Sequence, residues 1–117
     1  MDKAFAEYFA ADWIASWNAH DLGSVLSHYA DGFEMSSPFM MQIAGEPSGR
    51  LVGKAAVGAY WSKALHFMPD LRFELISVLS GVRSVTVHYR AGGGRLAAEV
   101  FFFDADRKVS KAVAHYV

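Results

Sequence analysis

The sequence predicts an α+β domain whose helices and strands are segregated along the chain, and three observations carry this. Apolar residues recur with helical spacing in the N-terminal part, up to Met68. The runs beyond Pro69 are rich in β-branched and aromatic residues and are bounded by turn signals. The two patterns do not alternate, as they would in a doubly wound sheet. A length of 117 residues suits one domain, spanning 1–117, and with 53% hydrophobic and 15% aromatic residues the chain can bury enough apolar surface to offset the ordering of its backbone.

From Asp2 to about Asn18, Phe5, Phe9, Trp13 and Trp17 recur at every fourth position, with Ala6, Ala10 and Ile14 beside them. This is an amphipathic helix with an aromatic buried stripe. A second, short helix restarts at Asp21, a suitable N-cap, and is expected to line Leu22, Val25, Leu26 and Tyr29 along one face until Gly32 ends it. "FEMSSP" reads as a brief strand stopped by Pro38, because proline cannot donate to a ladder. Phe39 to Arg50 reads as a loop of unusual apolar content, with Phe39, Met40, Met41 and Ile43 exposed, of the kind that covers something. A third helix is expected from Lys54 to about Met68, with Val57, Tyr60, Trp61, Ala64, Leu65 and Met68 on one face and Pro69 directly after it. Then "LRFELISVL", "VRSVTVHYRA", "RLAAEVFFFD" and "KVSKAVAHYV" form an antiparallel meander, with turns at Ser80-Gly81, Gly92-Gly93-Gly94 and Asp104 to Arg107.

Composition excludes several classes of function. Eleven basic and twelve acidic side chains, evenly spread, leave no positive block for a run of phosphates, so no nucleic-acid partner is expected. The chain has no cysteine, which rules out disulfides, thiolate zinc sites and a cysteine nucleophile and suits a reducing compartment. "MDKAFAEYFAADW" lacks the uninterrupted apolar core of a signal peptide, and no stretch approaches the ~20 apolar residues that span a bilayer. A cytoplasmic protein with no membrane association is therefore expected. His20, His28, His66, His88 and His115 lie on different elements without ligand spacing, so no metal is expected. "AGGGR" joins two strands with no helix after it and is a hairpin turn rather than a phosphate cradle.

The order and spacing of "WNAHDLGSVLSHYADGFEMSSP", "GRLVGKAAVGAYW", "MPDLRFELISV" and "FFFDADRKVSKAVAHYV" resemble the SnoaL-like and ketosteroid-isomerase-like branch of the nuclear transport factor 2-like superfamily over nearly the whole chain. The resemblance implies three helices packed in the concave face of a strongly curved, mainly antiparallel sheet. It also implies a cone-shaped, cystatin-like barrel with an apolar cavity open at one end, and usually a homodimer through the sheet. In the isomerases a tyrosine on the first helix, an aspartate base before the first strand's proline and a protonated aspartic acid on a late strand do the work. Their counterparts here are Trp13, Ser37 and Glu99, of which only Glu99 keeps its chemistry. An indole donates one hydrogen bond but is no acidic phenol, and a serine does not abstract a carbon-bound proton at neutral pH.

Glu99 is a lone carboxylate in an apolar strand and shares a face with Phe101 and Phe103. On a cavity wall it becomes a raised-pKa acid, a base or a donor to a ligand carbonyl; otherwise it pairs with Arg90 or Arg95 near the hairpin. Trp13, Trp17, Tyr29, Trp61 and Phe73 serve as core, pocket wall or both. By parity Val87, Tyr89, Phe101, Ala112, Ala114 and Tyr116 join Ser37 and Glu99 as wall candidates. On the other face, Ala98, Val100, Phe102, Val113 and Val117 form an apolar surface that needs cover from a partner copy or from the protein's own helices. Three functions stay open: a cofactor-independent isomerase- or cyclase-like enzyme on a hydrophobic carbonyl compound, a binding protein for a small apolar molecule, and a dimeric interaction module with a filled interior.

Overall fold

In the computed structural model, which describes residues 1–117, helix α1 (Lys3–Asn18) begins where the Asp2 carboxylate accepts a hydrogen bond from the Phe5 N–H at 2.7 Å. It is followed by α2 (Leu22–Leu26), β1 (Tyr29–Ser36), α3 (Met40–Ala44), β2 (Arg50–Val52) and α4 (Lys54–Phe67). The chain closes with β3 (Glu74–Gly81), β4 (Ser84–Arg90), a 3-10 turn over Gly92–Gly94, β5 (Leu96–Phe103) and β6 (Val109–Tyr116). Four helices thus pack against a curved, six-stranded open sheet of order β2-β1-β6-β5-β4-β3. All neighbours are antiparallel except β1 and β6, which run parallel.

The register divides the sheet into two faces. On the inner face, Val78, Val87, Glu99 and Ala114 form one row, Val85, Phe101, Ala112 and Met35 the next on one side, and Tyr89, Ala97 and Tyr116 the next on the other. The aromatic stripe of α1 lies on this face. Phe9 packs edge-on to Phe101 and Phe103 at 4.8 and 5.1 Å, and Trp13 to Tyr89 and Phe101 at 5.3 and 5.2 Å. The outer face carries Leu79, Thr86, Val100 and Val113 in one row and Ser77, His88, Ala98 and His115 in another. None of the helices covers it: Leu79 is 54% and Phe102 41% exposed.

Several expectations are corrected. Tyr29 does not belong to the second helix, which ends at Leu26; it starts β1, because the His28 carbonyl accepts from the Val109 N–H at 2.8 Å and Tyr29 pairs with Val109 across the sheet. The segment after Pro38 is not all loop. Met40–Ala44 closes a helical turn, stopped by Gly45 in the left-handed conformation at φ 69°, and Met40 is completely buried rather than exposed. Arg50–Val52 adds an edge strand to β1. The helix from Lys54 and the four-stranded meander stand as expected, and Asp21 caps α2 through the Ser24 N–H at 3.1 Å. No helix is long and apolar enough to cross a membrane.

Tyr8 and Phe9 are adjacent on α1 but lie outside and inside the buried stripe, 63% and 1% exposed. Phe9→Ala should cost about 3–5 kcal/mol of unfolding free energy in urea, and Tyr8→Ala no more than about 0.5 kcal/mol. Equal losses would mean that the stripe of α1 does not lie on the sheet.

Candidate functional site

A cavity of about 320 Å³ lies beside the inner face of the sheet. Its wall is built from several parts of the chain. Helix α1 supplies Trp13 and Trp17, α4 supplies Tyr60, Trp61 and Ala64, the strands supply Met35, Tyr89, Glu99 and Tyr116, and the segment around α3 supplies Ser37, Phe39, Gln42 and Ile43. Ala91, Gly92 and Arg95 of the hairpin, Met68 after α4, and Leu71 and Phe73, between α4 and β3, complete it. That last segment has no regular structure of its own and is held by α1: the Asn18 amide donates to the Phe73 carbonyl at 2.9 Å and accepts from its N–H at 2.7 Å, while the His20 ring bonds the Leu71 carbonyl at 2.9 Å. The end of α1 thus fixes one side of the cavity.

Glu99 is the one acidic side chain on this wall and is 3% exposed. Its Oε1 accepts from the Tyr89 hydroxyl at 3.4 Å, and its Oε2 has no partner. Desolvation dominates over that single hydrogen bond and pushes the Glu99 carboxyl up to about 8, so that it is mostly neutral at pH 7. No cation compensates it. Arg90 donates to the Gly94 carbonyl at 3.0 Å, Arg95 rests over the Phe39 ring at 5.4 Å, and neither forms an ion pair with Glu99. Burial, with the Glu99 carboxylate nearby, also raises the Tyr60, Tyr89 and Tyr116 hydroxyls, which therefore serve as neutral donors and acceptors.

Ser37 and Trp13 engage other protein groups. Ser37 Oγ accepts from the Phe39 N–H and from the Tyr60 hydroxyl, both at 3.3 Å, and Trp13 Nε1 donates to the Tyr29 hydroxyl at 3.0 Å. Trp17 Nε1, in contrast, has no partner. No group of His, Cys, Asp and Glu side chains is placed to hold a metal ion.

Of the wall candidates named from sequence, Trp13, Trp17, Ser37, Trp61, Phe73, Tyr89, Glu99 and Tyr116 line the cavity. Tyr29, Val87, Phe101, Ala112 and Ala114 do not; they are buried in the packed core behind it. Inward parity is shared by wall and core alike, and the stripe of α1 fills the space over Phe101. Phe39, Gln42 and Ile43 come from the apolar segment expected to cover something, and the wall residues missed were chiefly Tyr60 and Arg95. Tyr60 was visible on the apolar stripe of α4, whereas Arg95 reaches the cavity from the hairpin turn, which carries no periodic signal.

The cone of helices on a curved sheet and the apolar cavity within it define a class. A family model described as the SnoaL-like domain matches residues 4–116, and the chain belongs to that family. A SnoaL-like protein of unknown function from Burkholderia thailandensis is 64% identical, with a TM-score of 0.96 over 99% of this chain and 97% of that one. A protein with a cystatin-like fold from Methylobium petroleophilum is 15% identical, with a TM-score of 0.78 over 100% of this chain and 78% of that one. SalBIII, an epoxide hydrolase/cyclase-like enzyme with a role in pyran ring formation in the polyether salinomycin, is 14% identical, with a TM-score of 0.72 over 99% and 93%. The last two share the fold alone. No curated protein matches the chain.

The raised pKa of Glu99 makes stability depend on pH in a defined direction. The folded protein holds this proton up to about 8, whereas the unfolded chain releases it near 4.5. The stability linked to Glu99 is therefore complete below pH 4.5 and is lost as pH rises to 8, by on the order of 4 kcal/mol. Glu99→Gln should fold, remove most of this slope between pH 5 and 8, and be the more stable protein at the upper end. Parallel pH profiles in urea unfolding would show that Glu99 titrates as a surface carboxylate.

Proposed function

We propose that this protein takes up a small, mostly apolar carbonyl compound, and that neutral Glu99 donates a hydrogen bond to the carbonyl oxygen. The observation that carries this reading is a buried carboxyl group, one oxygen of which has no protein partner, on the wall of an aromatic cavity of about 320 Å³. That volume suits a compound of about two rings, and small-ligand sites are commonly apolar with a few polar groups for orientation. No cofactor is required. A second reading, cofactor-independent isomerase- or cyclase-like chemistry, is favoured by one fact: a carboxyl poised near 8 supplies both a proton donor and, in its ionised fraction, a strong base at neutral pH. Glu99 would have to work alone, since no other carboxylate lines the cavity and Ser37 stands at the base position that the isomerases fill with aspartate. The third reading, a module with a filled interior, has no support in a cavity of this size.

Calorimetry with 1-decalone tests the role of Glu99. Binding should be constant from pH 6 to 7 and weaken above pH 8, approaching tenfold per pH unit as Glu99 ionises. Glu99→Gln, whose amide still donates, should bind without this dependence. A wild-type affinity flat to pH 10 would sink the role of Glu99. Deuterium uptake at the carbons beside the carbonyl, present with the wild type and lost in Glu99→Gln, would decide for the enzyme.

We also propose a homodimer through the outer sheet face. Its support is the uncovered apolar row of Leu79, Val100 and Val113 with Phe102 beside it, which a second copy would remove from water. Light scattering at micromolar concentration should report twice the chain mass, and Val113→Asp should halve it, because a charge enclosed without a partner costs several kcal/mol, roughly. A wild-type monomer refutes the interface.

A further inference from the structure

Two buried side-chain polar atoms have no hydrogen-bond partner, Glu99 Oε2 and Trp17 Nε1, and both residues line the same cavity. Buried polar groups are nearly always paired, so each points to a partner that the protein itself does not supply. Trp13, one turn earlier on α1, gives the contrast: it lines the cavity too, but its Nε1 is satisfied by Tyr29 at 3.0 Å. Trp17 is 5% exposed and edges onto Trp61 at 5.2 Å, surrounded by rings that offer no acceptor oxygen. An indole N–H only donates, so what it lacks is an acceptor.

The two orphan groups are also apart. The Trp13 ring stands 6.3 Å from that of Trp17 and 5.3 Å from that of Tyr89, and it is the Tyr89 hydroxyl that reaches Glu99. The two donors therefore stand on different elements, Trp17 on α1 and Glu99 on β5, and reach the cavity from separate parts of its wall. We infer that Trp17 is a second binding residue for the same ligand, which is an uncharged molecule bearing acceptor oxygens at two separated positions on an apolar frame, of the diketone or hydroxyketone class. This rests on the reading of Glu99 as donor to a carbonyl. A compound with one carbonyl satisfies Glu99 and leaves the indole unpaired; a charged compound would have to shed its hydration in a cavity whose one charged group beside Glu99 is the exposed Arg95.

The probes are decalin-1,5-dione, with carbonyls at opposite corners of a two-ring frame, and 1-decalone, with one. By calorimetry at pH 7 the dione should bind about three- to tenfold tighter, the worth of one further hydrogen bond. Trp17→Phe should bring the dione to the level of 1-decalone and leave 1-decalone itself unchanged. A dione no tighter than the monoketone, or a Trp17→Phe variant that weakens both alike, overturns the inference and makes Trp17 a wall only. In the wild-type protein, which avoids any folding defect of the variant, the Trp17 indole proton should shift downfield in NMR spectra on adding the dione but not 1-decalone, while that of Trp13 stays in place. A Trp17 signal unmoved by a bound dione likewise overturns it. If 1-decalone does not bind at all, the reading of Glu99 falls and this inference with it; if 1-decalone binds and the dione gains nothing, this inference alone falls.

Discussion

The seam between the aromatic stripe of α1 and the inner face of the sheet holds the rest of the structure in place. Trp13 is its centre, 1% exposed, in contact with Trp17, Phe73, Tyr89 and Phe101 and hydrogen-bonded to Tyr29. One residue thereby joins α1, β1, β4, β5 and the segment before β3. Such rings bury large areas and prefer the edge-on and offset arrangements seen here, which fixes the rotation of α1 on the sheet. Where Phe9 and Phe101 meet, the interior is packed solid. Further along α1, towards Trp17, the sheet is no longer filled by the helix, and the space between them is the cavity.

Burying a carboxyl on that wall follows from the same geometry. Once Phe101 and Phe103 turn inward under Phe9, the two-residue period of β5 carries Glu99 to the same side, whatever the cost. The protein answers with one long hydrogen bond from Tyr89 rather than with a cation. Glu99 therefore keeps its proton at neutral pH, and Tyr89, Tyr60 and Tyr116 keep theirs. Apart from the exposed Arg95, the polar side of the cavity is accordingly a set of neutral donors and acceptors in an apolar frame.

Local periodicity made much of this legible in the sequence. The fourfold spacing of Phe5, Phe9, Trp13 and Trp17 defines α1 and its buried face, and alternation along β5 places Glu99 inward, because both depend only on the repeat of the backbone. What sequence could not show depends on distant partners. Tyr29 reads as a continuation of a helical face until β6 pairs with it, and Arg50–Val52 becomes a strand only because β1 lies beside it. The stop at Gly45 that makes α3 a helical turn was present as a signal, hidden by the proline and glycine around it. Within the site, parity told inside from outside but not wall from core. Val87, Phe101 and Ala114 share the face of Glu99 and Tyr89 without lining the cavity: Phe101 lies under the stripe of α1, and Val87 and Ala114 are shorter side chains than the Glu99 between them.

The arrangement around Glu99 is stable in spite of Glu99, and this is the strongest physical argument that the residue has a use. A glutamine at this place would keep a donor and an acceptor without a charge to suppress, and an aliphatic side chain would need no partner at all. Two arginines lie close in sequence, one to either side of the hairpin, but Arg90 is committed to the Gly94 carbonyl and Arg95 to the ring of Phe39. A carboxyl placed for structure alone would be expected to recruit one of them, as Glu34 does with Arg50 at 2.7 Å on the exposed edge of the same sheet. Leaving Glu99 unpaired preserves what pairing would destroy: a proton still present at neutral pH and a lone oxygen that no protein atom occupies. Groups kept in an unfavourable state by their surroundings concentrate where proteins bind and transform ligands. On the wall of an aromatic cavity, that cost supports the role proposed for Glu99.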